Sequence, residues 1–177
     1  MDLYIAQIIS ILTAVVAILS MQMKTMKSIL ITQITANLLA SSTYFLLGGF
    51  SGAGISLIAI IQLIVMFIYN KNNRSPHLLV IIGFIIAYVT YSIFILKGFI
   101  DIFPALAAIC FALGIAQKNP TIFRFWGLLN PLCWLVYDIY TMAYVSSLMR
   151  LGIFISALIA MIRLDGLFKT KNKQSKE

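Results

Sequence analysis

Residues 121–144, TIFRFWGLLNPLCWLVYDIYTMAY, are the segment from which the architecture can be inferred. It is long enough to cross a bilayer as one helix, yet it carries Asn130, Pro131 and Asp138 inside an apolar run. Unpaired polar groups are costly in hydrocarbon, so such residues normally face a helix-bundle interior or a wet cavity. The stretch therefore predicts a membrane helix with a polar face turned inward.

The polar and aromatic side chains of this stretch recur at helical spacing. One stripe of the helix carries Trp126, Asn130, Trp134 and Tyr137, with Asp138 at its edge. We predict that this stripe lines a functional cavity.

The composition is that of an integral membrane protein. Of 177 residues, 62% are apolar and 10% are charged, and the mean hydropathy is +1.01, which exceeds that of ordinary water-soluble domains. The net charge of +8 resides in short loops and the tail. Membrane topology explains this charge better than nucleic-acid binding does, so we expect no nucleic-acid partner.

Seven apolar segments are each long enough, at about 17–25 residues, to span a bilayer as a helix. They cover residues 3–23, 28–47, 52–69, 78–96, 99–116, 121–144 and 147–164. In this arrangement eleven basic residues lie on one side, and only Lys97 and Arg150 lie on the other. Because short basic loops face the cytoplasm, we predict an outside N-terminus and a cytoplasmic C-terminus.

The sequence also indicates an internal repeat. With an offset of 93 residues, the first three segments align with the last three, so that Asn37 matches Asn130 and Tyr44 matches Tyr137. The stripe of the first copy comprises Gln33, Asn37, Ser41 and Tyr44. Parallel repeats of this kind build transporters with the ligand near the membrane midplane. The alternative is that the two asparagines only join helices, as amides within membranes also do.

This repeat predicts an all-α membrane protein with a 3+1+3 plan. Residues 1–71 form a first triple-helix repeat, residues 72–97 a linking helix, residues 98–168 a second triple-helix repeat, and residues 169–177 a basic cytoplasmic tail.

Five stretches resemble the YgjV-type bacterial inner-membrane proteins. They are IAQIISILTAVVAILS (5–20), MKTMKS (23–28), YFLLGGFSGAG (44–54), WLVYDIY (134–140) and a last span ending in IRL (162–164). That family is similar in plan to the PQ-loop and SWEET superfamily, which includes the PnuC-type vitamin transporters. The resemblance implies a multi-pass protein of the bacterial inner membrane with a 3+1+3 fold that moves a small, sugar- or vitamin-like solute.

The resemblance also implies roles for particular residues. In SWEET-like proteins, paired asparagines and tryptophans contact the sugar, and prolines act as hinges. The corresponding roles here would fall to Asn37 and Asn130 as amides, Trp134 and Trp126 as stacking surfaces, and Pro104 and Pro131 as hinges. The SWEET asparagines lie on the last helix of each triplet, whereas these lie on the middle helix, so the analogy is one of role.

Asp138 is a charge within an apolar segment, and we expect it to pair with Arg150 at the start of the last segment. The pair could bind a proton or a cationic group during transport, or it could simply fix two helices together.

Three classes of function can be compared. A solute carrier agrees best with the paired stripes, and its partners would be membrane lipid and a small solute. An enzyme is not expected, because no GxSxG, HExxH, carboxylate cluster or Cys/His dyad lies at depth. The alternative to a carrier is a non-transporting receptor or assembly protein. No cofactor or metal site is expected, and both a monomer and a homo-oligomer are compatible with two repeats in one chain.

Overall fold

The computed structural model describes residues 2–46, 50–95, 99–140 and 144–166. Within these ranges the chain is all-helical, with seven α-helices and a short 3-10 helix, Phe99–Asp101, immediately before the fifth. The helices are α1 (Asp2–Gln22), α2 (Met26–Leu46), α3 (Phe50–Lys71), α4 (Leu78–Ile95), α5 (Ile102–Ile115), α6 (Pro120–Tyr140) and α7 (Tyr144–Asp165).

Each predicted segment corresponds to one of these helices. Within the described residues, four helices are long and apolar enough to cross a membrane, over Tyr4–Gln22, Met26–Leu46, Ala53–Lys71 and Ser147–Asp165. Two further helices, α4 and α5, are apolar but shorter over the part described. Of the predicted seven spans, four therefore meet the requirement of length and apolarity.

The helices pack in two groups of three. In the first group α1 packs along α2 and α2 along α3, and in the second α5 packs along α6 and α6 along α7. The groups meet where α1 contacts α7 and where α3 contacts α5, while α4 packs against α5 and α3. These contacts enclose the space between α2 and α6.

The bundle has two distinct ends. The loops after α1, α3 and α5 lie at the end that we call the Arg124 end, where the Lys118 Nζ donates a hydrogen bond to the Asn73 carbonyl at 2.9 Å. The opposite end, toward which α6 runs, is called the Trp134 end.

Many small side chains are buried in the interior of the bundle, and large apolar ones also cover its outside. Buried positions include Ala6, Ala36, Ala59, Ala107, Ala108, Ala112, Ala157 and Ala160, whereas exposed leucines, isoleucines and phenylalanines occur along every α-helix. Lipid offers no hydrophobic gain for burying a leucine, so membrane helices approach one another through small residues. This distribution is the one expected for a bundle surrounded by lipid.

Apolar side chains from six helices close the interior at the Arg124 end. This apolar plug comprises Met21, Met26, Ile29, Leu30, Leu63, Met66, Ile115, Ala116, Phe123 and Ala157. Because α1, α2, α3, α5, α6 and α7 all contribute to it, the plug joins both groups of helices.

Arg124 belongs to the predicted segment 121–144, although its charge is counted among the eleven basic residues of one side. It belongs to α6 and is 1% exposed. Its guanidinium donates hydrogen bonds to the carbonyls of Met21, at 3.0 Å, and Met23, and forms an ion pair with Asp165. The last carbonyls of a helix have no partner within the helix, so Arg124 caps α1 from a different part of the chain.

A second polar network joins α1 to α7 at the same end. The Gln22 Nε2 donates hydrogen bonds to the Ser156 carbonyl and hydroxyl oxygens, both at 2.8 Å. The Ser156 hydroxyl in turn donates to the Ile18 carbonyl at 3.0 Å, and the exposed Arg163 donates to the Gln22 Oε1 at 2.8 Å. The α1–α7 contact is therefore held by hydrogen bonds as well as by packing.

Candidate functional site

A cavity of about 190 Å³ lies between α2 and α6. Its wall brings together six of the eight residues that the sequence predicts for substrate binding, namely Gln33, Asn37, Tyr44, Trp126, Asn130 and Trp134. Ser41 and Tyr137 are not among the lining residues. The two predicted stripes thus face one common space.

The two asparagines lie at the same depth in the bundle. At a rise of about 1.5 Å per residue, Asn37 is about 16 Å along α2 from Met26, and Asn130 is about 15 Å along α6 from Pro120. Both helices begin at the Arg124 end, so the two amides lie near the middle of the bundle.

Asn130 joins α6 to α5. Its Nδ2 donates a hydrogen bond to the Ala107 carbonyl at 2.7 Å. The helix continues through the buried Pro131, although proline removes one backbone hydrogen bond. Pro104, by contrast, lies in the first turn of α5, where the missing N–H disturbs no internal hydrogen bond.

The polar residues from α2 are held mainly by local contacts. The Asn37 Nδ2 donates to the Gln33 carbonyl, one turn earlier on the same helix, at 2.9 Å. The Gln33 side chain is 6% exposed and donates to the Ser20 hydroxyl on α1 at 2.7 Å. Gln33 therefore also connects α1 to α2.

Aromatic and cationic groups form the wall toward the Trp134 end. The guanidinium carbon of Arg150, which also lines the cavity, lies 4.7 Å from the centroid of the Trp134 ring. Tyr137 packs edge-on against Trp134, with ring centroids 6.1 Å apart and an interplanar angle of 82°. Tyr137 is thus placed to orient a lining residue. The predicted pairing of Arg150 with Asp138 falls on a side chain outside the described residues.

Tyr88 also lies in this wall, although it is not among the residues that the sequence predicts for the site. It lies on α4, yet it packs against Ala59, Ala108 and Ala112, where α3 and α5 meet, and it lines the cavity. Tyr88 is 1% exposed, and among the described residues its hydroxyl has no hydrogen-bond partner. Three alanines on two other helices make room for its ring, a pattern visible only once the helices are assembled.

The two ends of the cavity differ in exposure. Toward the Arg124 end its wall is made by buried residues, including Met21 at 5% and Phe123 at 3% exposure. Toward the Trp134 end the wall includes Tyr44, Trp134 and Arg150, which are only half-buried. The apolar plug therefore closes one end, and the less buried side chains border the other.

The polar groups of the wall are suited to holding a solute. They include amides, phenols, indoles and a guanidinium, which bind through hydrogen bonds and ring stacking. Among the described residues no group of three or more His, Cys, Asp or Glu side chains could hold a metal ion.

A protein-family model for bacterial inner membrane proteins, Imp-YgjV, matches residues 4–167. Searches of curated proteins and of solved structures gave no match. The family match reaches from α1 to just beyond the end of α7, and the apolar helices agree with a membrane location. The chain therefore belongs to the Imp-YgjV family of bacterial inner membrane proteins.

Proposed function

We propose that this protein carries a small, uncharged solute of sugar or vitamin size across the inner membrane. The observation that carries the proposal is the convergence of Asn37 and Asn130, from different groups of helices, on one cavity that both tryptophans of the chain also line. Amides and indoles in a largely apolar pocket are the groups that fix the orientation of a small ligand.

The proposed carrier is built from two triple-helix repeats, residues 1–71 and 98–168, joined by residues 72–97. If the two repeats are related by a twofold axis, α1 corresponds to α5, α2 to α6 and α3 to α7. The α1–α7 contact then corresponds to the α5–α3 contact, and both contacts are observed. Such an arrangement supports a pseudo-twofold axis along the membrane normal. In transporters with parallel repeats, the halves move about a site between them.

In this proposal the structure corresponds to a state that admits solute from the Trp134 end. The apolar plug and the Arg124 network join the halves at the other end. With the orientation predicted from the basic residues, the Trp134 end faces outward. Transport then requires the plug to separate while the Trp134 end closes.

The test begins with a thermal-shift screen of sugars, nucleosides, vitamins and amino acids against the purified protein. A ligand that binds only the folded state raises the apparent melting temperature. Uptake of each hit is then measured in proteoliposomes containing wild-type protein, Asn37→Ala, Asn130→Ala or the loop control Asn72→Ala. Asn72 is exposed in the loop after α3, so the control makes the same substitution away from the cavity.

We expect both cavity variants to lose uptake while Asn72→Ala retains it. Normal uptake by both cavity variants would overturn the site. A screen without hits, on protein that still unfolds cooperatively, would favour the alternative of a receptor or assembly protein.

A further inference from the structure

The side-chain amides of Asn37 and Asn130 are each oriented by a hydrogen bond from the amide nitrogen. Each Nδ2 donates to a backbone carbonyl, that of Gln33 for Asn37 and that of Ala107 for Asn130. A carbonyl oxygen can only accept, so turning either amide over would bring two oxygens together. These contacts therefore determine which atom of each amide is the oxygen.

Both amide oxygens remain available to a bound molecule. Among the described residues neither Oδ1 receives a hydrogen bond, and neither is a fully buried atom without a partner. Each asparagine lines the cavity and is half-buried. From two helices, the site thus offers a carbonyl-type acceptor to the solute.

The charges of the wall disfavour a cationic solute. Within the described part of the chain no carboxylate lines the cavity, whereas the Arg150 guanidinium does. Among the described residues, no acidic side chain of the wall would compensate a cation at the amide oxygens. The complementary donors are therefore the N–H or O–H groups of an uncharged molecule.

The size and aromatic lining of the cavity favour a flat ring. Trp126 and Trp134 are the only tryptophans of the chain, and both lie in the wall, as does Tyr44. An apolar cavity of about 150 Å³ accommodates benzene, so the cavity of about 190 Å³ has room for one substituted ring. The alanines, isoleucines and phenylalanines that are also in the wall suit the apolar faces of such a ring.

We propose that the cavity selects an uncharged, single-ring solute with two hydrogen-bond donors, one for the Asn37 Oδ1 and one for the Asn130 Oδ1. This inference rests on the proposed solute cavity and specifies the chemistry of its occupant. A donor removed from the solute leaves an amide oxygen desolvated and unpaired, so discrimination against the analogue is expected to be strong.

A series of probes tests the proposal without knowledge of the natural solute. Uracil has two ring N–H donors, each of its two N-methyl isomers has one and N,N′-dimethyluracil has none, while their ring and carbonyl groups are the same. Thymine adds a methyl group on carbon and keeps both donors, so it controls for bulk. Binding to the purified protein is followed by tryptophan fluorescence, which reports on the site because both indoles line it.

We expect affinity to fall about 5- to 100-fold for each donor removed, with thymine close to uracil. In Asn37→Leu the difference between uracil and one of its two N-methyl isomers, 1-methyluracil or 3-methyluracil, should shrink, whereas in Asn72→Leu both differences should persist. Asn37→Leu is the preferred variant because the Asn37 hydrogen bond lies within α2, so no interhelical bond is lost. Asn130→Leu, which also loses the bond to α5, serves as the second variant.

Equal affinity for uracil and its dimethyl derivative would overturn the donor requirement and leave the cavity as a solute site. Failure of wild-type protein to bind uracil would overturn the proposed solute class. The proposed carrier function is judged separately, by the thermal-shift and uptake experiments with unrelated solutes.

Discussion

Arg124 on α6 and Asp165 at the end of α7 form a buried ion pair, with the Nη1 and Oδ1 atoms 2.6 Å apart and side-chain exposures of 1% and 8%. The same guanidinium holds the carbonyls of Met21 and Met23 at the end of α1. Three helices from both groups therefore depend on one cation.

Removal of one partner of this pair should strongly destabilise the protein. Asp165→Ala leaves the Arg124 charge buried without its counterion, and breaking a buried pair in this way costs about 3–5 kcal/mol. We expect a large fall in the apparent melting temperature in detergent. Arg163→Ala is the matched control, because it removes an arginine side chain from the same end of the bundle. Arg163 is exposed and makes a single described hydrogen bond, so its loss should change stability little. Equal effects of the two changes would contradict the structural role of the buried pair.

Two helix glycines should respond in opposite directions to alanine. A Cβ at Gly54 would lie 2.2 Å from the Tyr91 hydroxyl oxygen and 2.6 Å from the ring carbon that carries it, so Gly54→Ala must displace α4 or the tyrosine. A Cβ at Gly83 would meet nothing within 4 Å, and the greater helix propensity of alanine should stabilise Gly83→Ala by about 0.5–1 kcal/mol. Thermal unfolding of the two variants provides the comparison. A stabilised Gly54→Ala protein would show that the Tyr91 side chain does not pack against Gly54 in this way.

Tyr88→Phe should be neutral or stabilising in the absence of solute. The hydroxyl is buried and has no partner among the described residues, and an unsatisfied group of this kind costs about 1–3 kcal/mol. Tyr140→Phe, which removes an exposed hydroxyl, should leave the melting temperature unchanged. A clear fall for Tyr88→Phe alone would reveal a bound water or another partner for that hydroxyl.

The predicted orientation can be tested by labelling intact cells. In a Cys110→Ala/Cys133→Ala background, Ser75→Cys places a thiol in the exposed loop between α3 and α4. A membrane-impermeant maleimide should label this thiol only after the cells are opened, because the loop is predicted to be cytoplasmic. Gly48→Cys, in the predicted outer loop, should react in intact cells. The reverse pattern would invert the topology and the assignment of the Trp134 end as the outer one.

Apolar runs and helical spacing were sufficient to predict the helices and the face of α6 that turns inward. Asn130 and Trp134 could be predicted as cavity residues because polar and aromatic groups recurring on one face of an apolar helix need an interior environment. The match of Asn37 with Asn130 identified the second wall in the same way. Both arguments concern residues close together in sequence or related by a constant offset.

Long-range contacts could not be predicted in this way. Arg124 lies near the start of an apolar segment, and only the approach of α1 and α7 supplies its acceptors. Tyr88 shares a face of α4 with Ser92, four residues later, but the position of its ring depends on three alanines of α3 and α5. Gln33 was predicted for the cavity, but its amide also joins α1 to α2, a role set by the distance to Ser20.

The cap that Arg124 provides has a consequence for biogenesis. The carbonyl of Met21 and its donor are separated by 103 residues, and the counterion Asp165 follows a further 41 residues later. During synthesis α1 is therefore made well before the groups that cap it at the Arg124 end, and water or lipid headgroups must satisfy those carbonyls meanwhile. Asp165 lies at the end of α7 and is translated after the other six described helices, so the cap of α1 is complete only once α7 has been made.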